Sequence, residues 1–291
     1  MRLIAFDKNG TATLGARDGD SVVDLSIAAP DLPGDLTGVI KLGKAGIDKI
    51  VTAVSNAGDD ARVSLDGIKY LPPSTNAGKL ICLGLNYADH AAEGGHNKPE
   101  YPSFFLRTNS TLVAHGDPIV RPVVSEQLDY EAEMVAIVGK QARHVKRENA
   151  LDYIWGYSVF NEASIREYQR KTAQWTIGKN FDNTGGFGPE AVTADELPPG
   201  GNGLRIQTRL NGEILQDANT NDMLFDVAET VELLTECLTL EPGDILVMGT
   251  PSGVGHARRP QLWMKAGDVC EIEIEKIGIL RNPIEDEVLP A

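Results

Sequence analysis

Cysteine is scarce in this chain of 291 residues, which contains only Cys82, Cys237 and Cys270. The three are far apart, each lies in an apolar segment, and the sequence has no C-x-x-C pattern. This spacing argues against a zinc ribbon and against a dithiol redox pair. We therefore expect buried, reduced thiols.

Basic residues are also few relative to acidic ones. Lys and Arg total 27 against 42 Asp and Glu, which gives a formal net charge of −15. A surface of this sign repels phosphate backbones and anionic lipids, so the composition argues against nucleic-acid and membrane partners. A site for an anionic substrate would need a bound cation, or local Arg and Lys groups that reverse the sign.

Long apolar runs and low-complexity tracts are absent as well. No apolar stretch is long enough to span a bilayer. The first seven residues resemble a strand and not the charged segment and apolar core of a signal peptide. With 42% hydrophobic and 24% charged residues the composition is typical of a globular protein. We expect a soluble cytoplasmic protein.

The pattern predicts two units, a small N-terminal β-rich domain over 1–75 and a larger domain over 76–291. In the first, strands are expected over 3–6 and 21–25. A helix is expected over 47–55, with Ile47, Ile50, Val51 and Val54 on one stripe. The fold class that follows is mixed, β-rich α+β.

In the larger unit the same reasoning predicts buried strands over 79–84, 128–138 and 153–160, and a further strand over 204–210. Helices are predicted over 163–173 and 226–238. A glycine-rich loop is predicted over 180–189.

The stretch 128–138 alternates, so Glu131 and Glu133 share one face of the predicted strand. Further along, both faces become apolar, which indicates a strand that is buried on both sides. Two carboxylates held there repel each other and lose hydration, and a bound cation is the simplest compensation. The alternative is an exposed strand end with two solvated glutamates.

A third carboxylate, Glu162, ends the next predicted buried strand. Three carboxylates without clustered histidines form a hard, oxygen-rich ligand set. Such a set favours Mg²⁺ or Mn²⁺, with Ca²⁺ possible, over Zn²⁺.

Two further positions carry acid–base or charge chemistry. His90 and Glu93 would share a face of a short helix, where Glu93 can orient the imidazole as a general base for a water. The alternative is an exposed surface pair. Lys179 precedes the glycine-rich loop and can neutralise a substrate carboxylate or a developing enolate. The alternative is an ordinary loop lysine.

The segment GTPSGVG at 249–255 follows a predicted strand and can bring backbone N–H groups to an anion. It lacks the Lys-Ser/Thr ending of a P-loop, and Ser252 has no G-x-S-x-G context. Nucleotide binding and serine hydrolysis are therefore not indicated.

Five segments, in order, together resemble the fumarylacetoacetate hydrolase family. They are GLNYADHAAE at 84–93, DYEAE at 129–133, GYSVFNE at 156–162, GKNFD at 178–182 and GTPSGVG at 249–255. The resemblance extends from residue 79 to residue 284. It implies a catalytic domain with a rolled β-sheet, preceded by a smaller domain and usually dimeric.

The resemblance also implies roles for individual residues. Mg²⁺ or Mn²⁺ would be held by Glu131, Glu133 and Glu162, and the His90–Glu93 dyad would lie on a lid that orders over substrate. Residues expected in the substrate pocket are Lys179, Arg166, Gln169 and Thr250.

Three positions depart from the family pattern. The third ligand is usually Asp, and Glu162 is one methylene longer. Leu85 and Arg107 stand where many relatives have Arg and Lys, respectively. The charged residues that bind a substrate carboxylate are therefore expected to differ from those of many relatives.

The function expected from the resemblance is metal-dependent hydrolysis of a carbon–carbon bond in an acylpyruvate-type 2,4-dioxo acid, including 2,4-dioxo sugar acids. Pyruvate and a carboxylic acid would be released. The same metal-enolate chemistry serves the alternatives, decarboxylation of oxaloacetate and isomerisation of unsaturated 2-oxo diacids. An alternative of another class is a non-catalytic metal-binding protein that keeps the fold.

Overall fold

A computed structural model describes residues 1–89 and 100–289. In these ranges strands far outnumber helices, which confirms the β-rich α+β prediction. The strands are β1 Arg2–Lys8, β2 Thr11–Asp18, β3 Ser21–Asp24, β4 Arg62–Ser64, β5 Lys69–Tyr70, β6 Leu80–Gly84, β7 Ser103–Arg107, β8 Leu112–Val113, β9 Ile119–Arg121, β10 Leu128–Asp129, β11 Ala132–Val138, β12 Ile154–Glu162, β13 Ser164–Ile165, β14 Gly185–Thr193, β15 Arg205–Leu210, β16 Glu213–Asn219, β17 Ile245–Val247, β18 Val269–Ile274 and β19 Gly278–Asp286. The helices are α1 Leu25–Ala28, α2 Leu36–Lys41, α3 Lys44–Asn56, α4 Arg147–Ala150, α5 Arg166–Gln169, α6 Thr176–Lys179 and α7 Val227–Cys237.

One large sheet forms the frame of the molecule. Ten of its 12 strands follow the order β4-β3-β2-β1-β14-β12-β11-β17-β6-β7, and β5 and β8 pair with β1 and β14. The antiparallel pairing of β1 with β14 joins the N-terminal strands to the larger unit. The domain boundary near residue 75 stays a prediction.

Strand β11 lies in the interior of this sheet, between β12 and β17. Its side chains alternate between two hydrophobic clusters. Met134 and Ala136 belong to the cluster that includes Ile272 of a second, five-stranded sheet with the order β16-β15-β18-β19-β9. Val135 and Ile137 belong to the cluster on the opposite face. Burial on both faces explains why the strand becomes apolar on both faces.

The prediction of one strand over 128–138 is wrong, because the chain is interrupted between β10 and β11. At this break, side chains accept the hydrogen bonds that main-chain carbonyls accept elsewhere in the sheet. Asn161 Oδ1 accepts a hydrogen bond from the Glu131 N–H at 3.1 Å, and Gln216 Oε1 accepts one from the Ala132 N–H at 3.0 Å. Strand β10 pairs instead with β13.

Two predicted segments after Glu162 also need correction. The helix predicted over 163–173 is confined to α5, because Ser164 and Ile165 first pair with β10. The predicted loop over 180–189 ends early, since β14 begins at Gly185 and pairs with β12. Gly186 lies so close to its neighbours that an added Cβ would stand 2.8 Å from Asn282 Oδ1, so close packing accounts for this glycine.

The two longer predicted helices are present. In α7, the Asp226 side chain caps the N-terminus by accepting from the Glu229 N–H at 2.8 Å. In α3, Ile50 is buried but Val51 is 51% exposed, so the predicted apolar stripe is wrong at that position.

Two expectations from composition can be compared with the described residues. Cys82 and Cys270 are buried and free, whereas Cys237 is exposed, so the expectation of three buried thiols is wrong for Cys237. In 1–89 and 100–289, no helix has the length and apolar character needed to cross a membrane.

Candidate functional site

Strand register brings three glutamates together. Glu162 ends β12, and its N–H donates to the carbonyl of Glu131 at 2.9 Å, so the two residues lie opposite each other across the antiparallel pair. Glu133 lies two residues further along on the same face. One carboxylate oxygen from each residue lies within 4.8 Å of the others, and all three side chains are buried.

Lys179, the last residue of α6, is buried against two of these acids. Its Nζ donates to Glu131 Oε2 and, at 2.8 Å, to Glu162 Oε2. Burial alone lowers the pKa of Lys179, but the carboxylates of Glu131 and Glu162 outweigh burial and raise the pKa above its usual value. Lys179 is therefore a fixed cation and not a proton acceptor at neutral pH.

Arg166, the first residue of α5, ties the acids to the neighbouring loop. Its Nε lies 2.8 Å from Asp129 Oδ2, and its Nη2 lies 2.6 Å from Glu131 Oε1. Its Nη1 donates to Gln169 Oε1 at 2.9 Å. The guanidinium therefore orients both Glu131 and Gln169.

The acids remain under-compensated by protein groups. Burial, followed by repulsion from Glu162 and Glu131, raises the pKa of Glu133 well above its usual value. Burial also raises the pKa of Glu162, although Lys179 and Arg107 oppose that shift. Within the described residues, Glu162 Oε1 is buried and accepts no hydrogen bond.

This donor set fits a divalent cation. Four buried carboxylates, those of Asp129, Glu131, Glu133 and Glu162, meet three buried cations, Lys179, Arg166 and Arg107. One divalent ion would reverse the net charge of the group, which suits an anionic substrate. The converging donors are all carboxylate oxygens, the chemistry preferred by Mg²⁺ and Mn²⁺.

A cavity of about 450 Å³ opens onto the three glutamates and is also lined by Lys179, Arg166, Gln169 and Thr250. Trp175 and Phe105 form part of its apolar wall, with ring centroids 5.7 Å apart. Trp175 packs so closely on Gly84 that an added Cβ would stand 2.0 Å from its ring. Leu85, which also lines the cavity, has a positive φ of 58°. The cavity size suits a small organic acid.

Thr250 is held in place from outside the cavity. Gln216 Nε2 donates to Thr250 Oγ1 at 2.9 Å and to the Pro251 carbonyl at 2.8 Å. The preceding glycine, Gly249, donates its N–H to Glu133 Oε2 at 2.6 Å. Gly255, at the other end of the GTPSGVG segment, donates its N–H to Asp129 Oδ1 at 2.8 Å. The segment therefore directs two N–H groups to buried carboxylates of the site.

The described structure brings together seven of the nine residues singled out from the sequence. They are Glu131, Glu133, Glu162, Lys179, Arg166, Gln169 and Thr250. His90 and Glu93, with most of the predicted lid, lie outside the described residues. Sequence reasoning missed Arg170 and His256, which also line the cavity and contact each other through Nη2 and Nε2. Neither residue belongs to a spacing pattern that would have indicated it.

The β-rich fold thus places a buried group of three carboxylates, a donor set that suits a divalent cation, against a cavity of small-molecule size. The family profile described as "Fumarylacetoacetate (FAA) hydrolase C-terminal" matches residues 79–285. The chain therefore belongs to the fumarylacetoacetate hydrolase family, and the resemblance seen in the sequence is confirmed.

Solved structures and curated relatives agree with this assignment. The fumarylacetoacetate hydrolase of Exiguobacterium antarcticum superposes with a TM-score of 0.83 and 32% identity over 99% of this chain and 100% of that one. The maleylpyruvate hydrolase of Sphingobium sp. SYK-6, solved with manganese(II) and pyruvate, superposes with a TM-score of 0.82 and 27% identity, over 99% of this chain and 100% of that one. The mitochondrial oxaloacetate tautomerase of Xenopus laevis is 35% identical over 98% of this chain and 90% of its own length.

Proposed function

We propose that this protein is a divalent-metal-dependent enzyme that interconverts the keto and enol forms of a 2-oxo dicarboxylic acid of the oxaloacetate type. The observation that carries this proposal is the buried group of Glu131, Glu133 and Glu162, with protonated Lys179 beside it, at the base of the cavity. Family membership supports the choice of an enzyme over a non-catalytic metal-binding protein.

The three glutamates would hold Mg²⁺ or Mn²⁺, with Ca²⁺ as a further possibility. A relative solved with manganese(II) supports a divalent ion of this class. The ion would supply Lewis-acid polarisation to a 2-oxo carboxylate. The buried carboxylates in turn hold Lys179 and Arg166 in fixed positions.

The remaining residues bind the substrate and stabilise charge. Lys179 Nζ offsets the negative charge on the substrate oxygen of the enolate that forms as a proton leaves C3. A proton from water then reaches that oxygen to give the enol, and the reverse transfers return the keto form. Thr250 Oγ1 and the amide of Gln169 provide hydrogen bonds for the substrate carboxylate. We assign movement of the proton at C3 to His90, oriented by Glu93.

Arg170 supports a dicarboxylic substrate. It lines the cavity next to Gln169, and among the described residues its guanidinium hydrogen-bonds to His256 and forms no salt bridge. Arg166 and Lys179, the other basic side chains with a long reach in the cavity, are each paired with acids. An arginine without an acidic partner among the described residues suits a second, distal carboxylate. The printed name of the Xenopus laevis relative points to such a diacid, oxaloacetate.

A second candidate function is hydrolysis of the C3–C4 bond of an acylpyruvate. The His90-x-x-Glu93 pair favours it, because a general base is needed to deprotonate water for attack on the C4 carbonyl. The new C–O bond forms at C4, and the electron pair of the broken bond remains on C3 as pyruvate enolate. The relative solved with manganese(II) and pyruvate is named a maleylpyruvate hydrolase.

A substrate panel tests both candidates. Purified protein with Mg²⁺ or Mn²⁺ would be assayed on oxaloacetate, maleylpyruvate, acetylpyruvate and 2,4-dioxo sugar acids, measuring loss of the enol, release of pyruvate and release of CO₂. We expect accelerated keto–enol interconversion of oxaloacetate. Pyruvate with the matching carboxylic acid would indicate hydrolysis, and pyruvate with CO₂ would indicate decarboxylation. No reaction with any 2-oxo acid would contradict the proposed function.

The same substrates test whether Arg170 binds the distal carboxylate. In Arg170→Ala we expect kcat/KM to fall about 10- to 100-fold for dianionic substrates, because one charge-assisted contact is lost. The value for monoanionic acetylpyruvate should change much less. Arg259→Ala is the matched control, since Arg259 is exposed and bonds only to nearby backbone carbonyls. An equal fall for both substrate types would remove Arg170 from substrate selection.

The homodimer and the cytoplasmic location expected from the sequence stay predictions. Sedimentation of the purified protein tests the first. For the second, localisation of the tagged protein is the direct measurement, and the Xenopus laevis relative carries "mitochondrial" in its name.

A further inference from the structure

Arg107, the last residue of β7, lies behind the acidic group and not in the cavity wall. It is 4% exposed, and its guanidinium bonds to three separate segments of the chain. Nε donates to the carbonyl of Lys179, while Nη2 donates to the Ala163 carbonyl at 2.9 Å and to Thr184 Oγ1 at 3.0 Å. One side chain therefore joins the ends of β12 and α6 to the start of β14.

The same guanidinium also faces a carboxylate of the proposed metal centre. Nε lies 3.6 Å from Glu162 Oε1, the buried oxygen that accepts no hydrogen bond from the described residues. The other oxygen of Glu162 is bound by Lys179 Nζ at 2.8 Å. Glu162 is thus held between two cations, and Arg107 also fixes the backbone of the second cation.

We propose that Arg107 is a positioning residue that sets Glu162 for metal binding and Lys179 for substrate, through its contacts with the Lys179 and Ala163 carbonyls and with Glu162. This inference rests on the proposed metal centre. The guanidinium presents its N–H donors from separate nitrogens in a rigid planar fork, which here bonds to acceptors on three segments. The three donors of a lysine ammonium group all radiate from one nitrogen on a flexible stem, so lysine would not hold the same acceptors in place. Arg107 is not among the residues that line the cavity, so its action on the site is indirect.

Gly185 provides the space that this arrangement needs. An added Cβ at Gly185 would stand 2.5 Å from Arg107 Nη1 and 3.1 Å from Phe160 Cζ. Gly185 pairs with Glu162 in the β12–β14 register. A methyl group there would displace the guanidinium without changing any charge.

The direct test is Mn²⁺ affinity of the metal-stripped protein, measured by calorimetry without substrate. We expect Arg107→Lys to weaken Mn²⁺ binding about 10- to 100-fold, the usual effect of losing a partner that orients a metal ligand. Gly185→Ala should weaken it in the same direction. Arg209→Lys is the matched control, because Arg209 pairs with Glu271 and Glu273 on a different sheet. This control should bind Mn²⁺ as the wild type does.

A double-mutant cycle with Glu162→Asp separates positioning from general stability. The shorter carboxylate no longer matches the span to Arg107. Arg107→Lys should therefore cost less Mn²⁺ affinity in the Glu162→Asp background, by about threefold or more. Strictly additive effects would overturn the proposal, and so would unchanged affinity in Arg107→Lys or, if that variant does not fold, in Gly185→Ala. Failure of the wild type to bind Mn²⁺ would instead contradict the proposed metal centre itself.

Discussion

Glu133→Gln is expected to abolish turnover and the rise in melting temperature that Mn²⁺ produces in the wild type. Glu133 contributes one of the three converging oxygens, and an amide is a much weaker ligand for a hard divalent ion. Loss of Lewis-acid stabilisation worth several kcal/mol corresponds to a fall in kcat/KM of about 1,000-fold or more. Activity assays and thermal melts with and without Mn²⁺ measure the two effects.

Without metal, Glu133→Gln should be more stable than the wild type. Burial and repulsion from Glu162 and Glu131 raise the pKa of Glu133, so the charged form destabilises the fold. The neutral amide removes that repulsion and can still accept the Gly249 N–H hydrogen bond. We therefore expect metal-free Glu133→Gln to melt a few degrees above metal-free wild type, at about 2–4 °C for each kcal/mol.

Glu190→Gln is the matched control for this substitution. Glu190 is equally buried but pairs with Arg2 and Arg17, away from the cavity. Its replacement should lower stability and leave the Mn²⁺-induced shift in place. A normal Mn²⁺ shift in Glu133→Gln would contradict the assignment of Glu133 to the metal centre.

His90→Ala and Glu93→Gln are expected to reduce turnover by about 100- to 10,000-fold, the usual contribution of a positioned general base. Mn²⁺ affinity should remain near the wild-type value, because neither residue belongs to the three-glutamate group. Steady-state kinetics on oxaloacetate and on acetylpyruvate, together with calorimetry, measure both quantities.

Rates on oxaloacetate and on acetylpyruvate together distinguish the possible roles of the His90–Glu93 dyad. Loss of hydrolysis alone, with keto–enol interconversion retained, would assign the dyad to water activation and the proton at C3 to another group. Near wild-type rates on both substrates would remove His90 and Glu93 from the mechanism. Decarboxylation that persists in both variants would identify an enolate step that is independent of the dyad.

The meeting of the three glutamates can be predicted from the sequence, because it depends on short-range pattern. Alternation places Glu131 and Glu133 on one face, and Glu162 ends a second apolar strand. The antiparallel register then brings that end opposite Glu131. The family resemblance supplied Lys179, Arg166, Gln169 and Thr250, but it did not indicate Arg170 or His256.

The break between β10 and β11 could not be predicted, because its causes are remote in sequence. The side chains that replace the ladder belong to Asn161 and Gln216, which lie 30 and 84 residues from their partners. The same limit applies to Arg107, whose acceptors near the three glutamates lie 56 to 77 residues away. Propensity and spacing carry no information about such contacts, which exist only after the chain has packed.

Turnover of the oxaloacetate enol by metal-stripped protein, followed during titration with Mn²⁺ or Mg²⁺, tests the central claim most directly. With metal removal verified by elemental analysis, we expect the rate to equal that of the uncatalysed reaction. It should then rise with added ion and saturate at one equivalent of bound ion per chain, since the three glutamates form a single site. A full enzymatic rate in the verified metal-free protein would contradict a catalytic metal centre formed by Glu131, Glu133 and Glu162.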